Sequence, residues 1–149
     1  TYPNADAGYS EIIDAFEVFA AAHTQQARLI RSAGARSYFD LMASAVAMVG
    51  NSSSGIGEAP SFELPVVNIG TRQDGFESAL NVINVGYRAS EIREAIRRAV
   101  SPQFKASLLG LKNPYGDGRS SERIAGILES IDLDDRLLRK KFIDVPAHT

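Results

Sequence analysis

The stretch Ala45-Val46-Ala47-Met48-Val49-Gly50-Asn51-Ser52-Ser53-Ser54-Gly55-Ile56-Gly57-Glu58-Ala59-Pro60 passes from an apolar run into small, donor-rich residues. The run reads as a short buried strand over Val46–Val49 that stops at Gly50. A helical segment around Glu58 follows. Backbone N–H groups left unpaired at a helix start, together with serine hydroxyls, are the groups that bind an anion such as phosphate. A single serine would serve as an ordinary N-cap. The run Ser52-Ser53-Ser54, bounded by Gly50 and Gly55, holds more hydroxyls than one cap uses, so capping and phosphate binding both stand as readings. No Gly-Lys-Ser/Thr follows, which excludes a Walker loop. The Gly-x-Gly-x-x-Gly of a dinucleotide-binding turn is also absent. Glu58 has two readings as well. It caps its own helix, with Gly55 at the cap position, or it accepts hydrogen bonds from neutral hydroxyls such as those of a ribose. Pro60 limits how regular the helix can be.

Outward from this turn, strands alternate with helices. Ser10 precedes an amphipathic helix with Ile12, Ile13, Phe16, Phe19 and Ala20 on its apolar side. Ala27–Arg31 reads as a short strand ended by Ala33-Gly34. A helix over about Ser37–Ser44 carries Tyr38, Leu41, Met42 and Ala45 on one face, and Phe39 is read as a core aromatic. Val66–Ile69 is a strand entered through Pro65, and Asn81–Val85 is another, ended by Gly86. Ser90 is the expected cap of a helix with Ile92, Ala95, Ile96, Ala99 and Val100 inward. Ser101-Pro102 opens a further helix. Asn113–Gly118 is a turn-rich loop. Ser120 or Ser121 starts a last helix with Ile124, Ile127, Leu128 and Ile131. The pattern predicts an α/β fold, a doubly wound parallel sheet whose ligands bind beyond the carboxyl ends of the strands.

Composition narrows the function classes. The 149 residues are 44% hydrophobic and 23% charged, enough for one domain with a core. No apolar run nears the roughly 20 residues of a membrane-spanning helix. The opening Thr-Tyr-Pro-Asn-Ala-Asp does not read as a signal peptide. No membrane partner and a cytoplasmic location are therefore expected. With no cysteine, the chain has no disulfide, thiolate metal site or cysteine nucleophile. The two histidines, His23 and His148, make a histidine metal site improbable. A net charge of −2 gives no field that would draw nucleic acid. The basic clusters Arg93, Arg97, Arg98 and Arg136, Arg139, Lys140, Lys141 have acidic neighbours and read as solvated helix faces.

Further candidates stand at the ends of strands. Arg72 follows Val66–Ile69, where a guanidinium binds phosphate bidentately; a solvent-exposed loop arginine is the alternative. Asn4 and Asp6 suit a turn in which each bonds its own backbone.

Four separated motifs, in order, resemble the UDP-N-acetylglucosamine 2-epimerase family and in particular its hydrolysing branch. They are Tyr2-Pro3-Asn4-Ala5-Asp6-Ala7-Gly8, Gly50 through Phe62, Leu64 through Gly70 with Arg72-Gln73-x-Gly75, and Asn113-Pro114-Tyr115-Gly116-Asp117-Gly118. The resemblance implies two Rossmann-like domains facing across a cleft, the glycosyltransferase-B arrangement. Residues 1–149 would form the C-terminal, UDP-binding domain. Its N-terminal domain partner and its own first strand–helix unit would lie outside this sequence, leaving an exposed sheet edge near Tyr2. By the same resemblance Ser52, Ser53, Ser54 and Gly55 bind the diphosphate of UDP or UDP-N-acetylglucosamine. Glu58 binds the ribose, Tyr38 lies near the uracil, and Arg72, Asn4 and Asp6 meet substrate. The Asn113–Gly118 loop is structural. A homo-oligomer is expected, and no cofactor or metal.

The implied reaction is elimination of UDP followed by addition of water, releasing N-acetylmannosamine or a related sugar for surface-glycan or sialic-acid-like biosynthesis. Its acid–base residues fall outside this chain, so this chain alone is expected to be inactive. One departure stands at Phe76, where the family's motif continues with arginine. A UDP-sugar glycosyltransferase domain and a non-catalytic α/β interaction domain are the competing readings.

Overall fold

The computed structural model describes residues 2, 3 and 5–139. Three parallel strands, β1 (Met48–Gly50), β2 (Val66–Ile69) and β3 (Val82–Val85), form a sheet in the order β1-β2-β3. β2 is central and its first three residues are buried, as its unbroken apolar start requires when both faces are covered. Side chains alternate across the sheet. Val66 and Val82 pack with Met42, Ala59 and Leu64 on one face. Val67 and Ile83 pack with Ala95 and Ala99 on the other. The first layer is supplied by helix α1 of the core (Gly34–Ser44) and the residues after β1; the second by helix α2 (Ala89–Ala99). Helices on both faces of a parallel sheet make this a Rossmann-like α/β domain, as the alternating pattern predicts.

Several elements differ from the sequence reading. β1 begins at Met48, two residues later than the apolar run, and Val46 and Val49 are exposed. The start of β2 sets this limit: the Met48 amide donates to Pro65 O at 2.8 Å, so the ladder opens where the chain leaves Pro65. β1 also has no neighbour on its outer side among the described residues, and Tyr2 and Pro3 form no strand. Ala27–Arg31 is not a strand either. Its apolar Leu29 and Ile30 stand side by side rather than alternating, and among the described residues it has no partner strand to hydrogen-bond. Ser90 is not a cap; the helix starts at Ala89 with Arg88 before it.

The helix at Glu58 is instead one α-turn, Ser54–Gly57, followed by a 3-10 turn, Ala59–Phe62, because Pro60 cannot donate to a continuing α-helix. Ser101 does cap the helix Pro102–Ala106, accepting from the Phe104 amide at 3.2 Å. Two amphipathic helices are outlying: Tyr9–Ala22 and Ser120–Ser130 contain no buried residue. Phe39, expected in the core, is 42% exposed and lies against Phe62 at 5.9 Å between ring centroids. Leu41 and Val100 are exposed too. No described helix is long and apolar enough to cross a membrane.

Candidate functional site

Parallel strands deliver their following loops to one end of the sheet. There β1 runs into Asn51–Ser54, β2 into Gly70–Gln73 and β3 into Gly86-Tyr87. Gly50 enters the first loop at φ +150°, a backbone region that favours glycine. Ser52 and Ser53 are exposed and Ser54 is half-buried. The Ser54 amide reaches Ser52 Oγ at 3.3 Å, and the Gly55 and Ile56 amides turn back to Ser52 O and Ser53 O at 3.1 and 2.9 Å. The Ser52 and Ser53 amides, and the Ser53 and Ser54 hydroxyls, have no partner among the described residues. Ser53, the residue before the turn, makes no side-chain cap bond. With a single α-turn behind it, the macrodipole is small, and any anion would be held by these local donors.

Gly55 contributes space rather than a donor. It is buried, and a Cβ there would come within 2.8 Å of Val66 Cγ1. The turn lies flat on β2 only because residue 55 has no side chain.

Glu58 is exposed, and its carboxylate has no hydrogen-bond partner among the described residues. The capping alternative is removed by geometry. Gly55 sits within the Ser54–Gly57 turn rather than before it, and Glu58 follows that turn's last residue. Asn113 donates from its side-chain amide to Gly57 O and to Ser61 Oγ, both at 2.7 Å.

Arg72 and Gln73 close the other side. Arg72 Nη1 donates to Asn51 O at 3.3 Å, and the buried Gln73 donates to the same oxygen at 2.8 Å through Nε2. Arg72 Nε also pairs with Asp6 at 3.1 Å, so two candidates meet each other. Asn4 lies outside the described residues. Tyr38 is half-buried at the rim of the core cluster of Met42, Ala59, Leu64 and Val66. Phe76 is 58% exposed.

The exposed Arg93, Arg97 and Arg98 agree with a solvated face: Arg97 pairs with Glu94, and Arg98 lies over the Phe104 ring at 5.3 Å. In the second basic cluster Arg139 pairs with Asp135 at 3.9 Å, while Lys140 and Lys141 fall outside the described residues. His23 is occupied locally, stacked on Phe19 with its Nδ1 2.9 Å from Phe19 O. Among the described residues no group of three or more His, Cys, Asp or Glu side chains could hold a metal ion.

Two residues at this end of the sheet escaped the sequence reading. Gln73 was quoted within a motif without a role. Tyr87 packs against Gly70, whose φ is +76° and where a Cβ would meet the Tyr87 ring at 2.4 Å. The Tyr87 hydroxyl lies 3.4 Å from the Thr71 amide. The glycine closing β2 was the available signal, since a close approach needs one.

This is a parallel α/β domain with loop donors gathered at the carboxyl end of its sheet. The sequence model of the UDP-N-acetylglucosamine 2-epimerase family matches residues 1–129, and the chain belongs to that family of enzymes. It is 37% identical over 139 residues to a UDP-N,N'-diacetylbacillosamine 2-epimerase (hydrolyzing) of Legionella pneumophila, covering 93% of this chain and 35% of that protein. It is 36% identical to the GDP/UDP-N,N'-diacetylbacillosamine 2-epimerase (hydrolyzing) of Campylobacter jejuni, over 97% of this chain and 37% of that protein. A UDP-N-acetylglucosamine 2-epimerase of Neisseria meningitidis is 33% identical, again over 97% of this chain and 37% of its own length. The chain thus spans little more than a third of these relatives.

Proposed function

We propose that this chain is the UDP-binding, C-terminal domain of a hydrolysing UDP-sugar 2-epimerase with a glycosyltransferase-B-type architecture. The substrate is a UDP-linked 2-acetamido sugar, UDP-N-acetylglucosamine or a relative of it. UDP and the free sugar, N-acetylmannosamine or a related one, are released for surface-glycan or sialic-acid-like biosynthesis. The observation that carries this reading is the unpartnered donor set at Ser52–Ser54, at the ligand-binding end of a parallel sheet. Two relatives named as hydrolysing support the branch.

In this reading the Ser52 and Ser53 amides and the serine hydroxyls hold the diphosphate, with Gly55 packing the turn onto β2. Fixed donors of this kind stabilise the charge that grows on the β-phosphate as UDP leaves, without reorganising. Arg72 adds a cation on the Asn51 side. Glu58, too acidic to face phosphate, accepts from the ribose hydroxyls, and Tyr38 lies toward the base. Asp6 and Asn4 stand near the sugar. The N-terminal domain would supply the opposite wall and the proton-transfer groups, and the assembled enzyme would be a cytoplasmic homo-oligomer.

Calorimetric titration with UDP and uridine tests the reading. UDP is expected to bind more tightly. Equal affinities would remove the diphosphate from the serine turn, and no binding of either would leave an interaction domain.

A further inference from the structure

Asn113 grips the Glu58 turn from both sides. Its two side-chain N–H groups go to Gly57 O and Ser61 Oγ, at 2.7 Å each, and Glu58 lies between those residues. Its side-chain oxygen accepts from the Tyr115 amide at 2.9 Å. Every hydrogen-bonding group of this amide except a second lone pair is therefore engaged. No other side chain hydrogen-bonds the Gly57–Ser61 segment among the described residues. The Tyr115 hydroxyl then donates to Glu77 O at 3.0 Å, tying the same loop to the segment that follows Arg72.

Glu58 itself has no partner among the described residues to hold its carboxylate. Its direction is set by the backbone beneath it, which turn hydrogen bonds and the buried Ala59 and Pro60 hold from within and which Asn113 ties from outside through Gly57 O and Ser61 Oγ. The geometry points to Asn113 as a positioning residue for Glu58, fixing the turn so that the carboxylate meets the ribose hydroxyls of a uridine nucleotide. This rests on the ribose role proposed above for Glu58.

A side chain that only stabilised the fold would weaken all nucleotides alike, or lower the melting temperature alone. A positioning residue acts solely through the ribose hydroxyls. The test is calorimetry on the full 149-residue chain with UDP and 2′,3′-dideoxy-UDP. The unmodified chain is expected to prefer UDP by about tenfold or more, the worth of a charge-assisted hydrogen bond. Asn113→Leu, uncharged and near in size, should bring that preference close to unity while leaving dideoxy-UDP affinity unchanged. Ser61→Ala removes only one of the two acceptors and should give an intermediate preference in a chain that folds normally.

A full preference retained in Asn113→Leu overturns the positioning role and leaves Glu58 as the ribose ligand. If Asn113→Leu does not fold, a full preference in Ser61→Ala has the same force. No preference in the unmodified chain fails the Glu58 reading itself, and the inference with it.

Discussion

Asp6 and Arg72, 66 positions apart in sequence, form an ion pair of 3.1 Å at the carboxyl end of the sheet. Their side chains are 62% and 38% exposed, so the pair contributes little to folding, about 0–1 kcal/mol. Its consequence is placement: the guanidinium is held beside Asn51 and the serine turn. Arg72→Ala should therefore leave thermal stability nearly unchanged. It should weaken UDP about tenfold, as loss of a charge-assisted contact does, and leave uridine unaffected. The deficit should shrink as salt rises, because the site is exposed. Equal weakening of UDP and uridine would remove Arg72 from the phosphates.

A negative charge in the serine turn makes a sharper test. Ser53 is exposed and its hydroxyl has no partner among the described residues. Ser53→Asp should fold as the unmodified chain does and lose UDP binding, since the new carboxylate competes for the amides a phosphate would use. Amide shifts on adding UDP to the unmodified chain should be largest at Ser52–Ile56. Retained affinity in Ser53→Asp, measured by calorimetry, would move the diphosphate elsewhere.

Glu58→Gln removes charge without removing the turn. Because the carboxylate caps nothing, melting temperature should not fall. UDP affinity should drop by about 1.5–3 kcal/mol, with inorganic phosphate binding unchanged. A variant that lost stability and kept its affinity would show the opposite partition.

The central strand, its flanking helices and the serine turn were legible because they depend on local pattern. Val66 and Val67 are buried on opposite faces, and with Ile69 beyond Asn68 they announce an apolar, β-branched strand between Pro65 and Gly70. What failed depended on partners. Ala27–Arg31 has no ladder among the described residues, and β1 starts where Pro65 allows rather than where its apolar run begins. The same holds for the site. Ser52–Ser54, Glu58 and Arg72 were visible as residue types in a motif. The Asp6–Arg72 pair, the Gln73 bond to Asn51 and the Asn113 grip on Gly57 and Ser61 join segments far apart in sequence. The meaning of Gly55 was also hidden. The sequence reads it as a cap or, by resemblance, a diphosphate ligand, and gives no sign that its missing Cβ makes room for Val66.

Gly55→Ala tests that meaning directly. The added methyl would lie 2.8 Å from Val66 Cγ1, and Val66 is β-branched and held in the core, so it cannot rotate away cheaply. Overpacking of this kind should cost about 1–3 kcal/mol in denaturant unfolding. Val66→Ala in the same chain should relieve the clash, so the double variant should be more stable than the sum of the two single losses predicts. Strict additivity would mean that the turn does not rest on Val66.

The helix Ser120–Ser130 buries none of its residues, so its order depends on contacts near its start. Asp117 supplies them, accepting from Arg123 at 2.8 and 2.6 Å and from the Arg119 amide at 3.1 Å. The Arg123 guanidinium, and then that amide, hold the Asp117 carboxyl below its ordinary pKa. A carboxylate with a depressed folded pKa lends stability that is complete above its unfolded value, about 3.9. That stability is lost as pH falls through the folded value. Protection factors of the 121–130 amides, with exchange referred to its intrinsic rate at each pH, should therefore fall as the solution is acidified below about pH 4, while the β2–β3 amides stay protected. Asp117→Asn should show the faster exchange at neutral pH and lose the acid step. Because the pair is exposed, high salt should reproduce part of the effect. Protection factors in this helix that ignore both acid and the substitution would show that something other than Asp117 orders it.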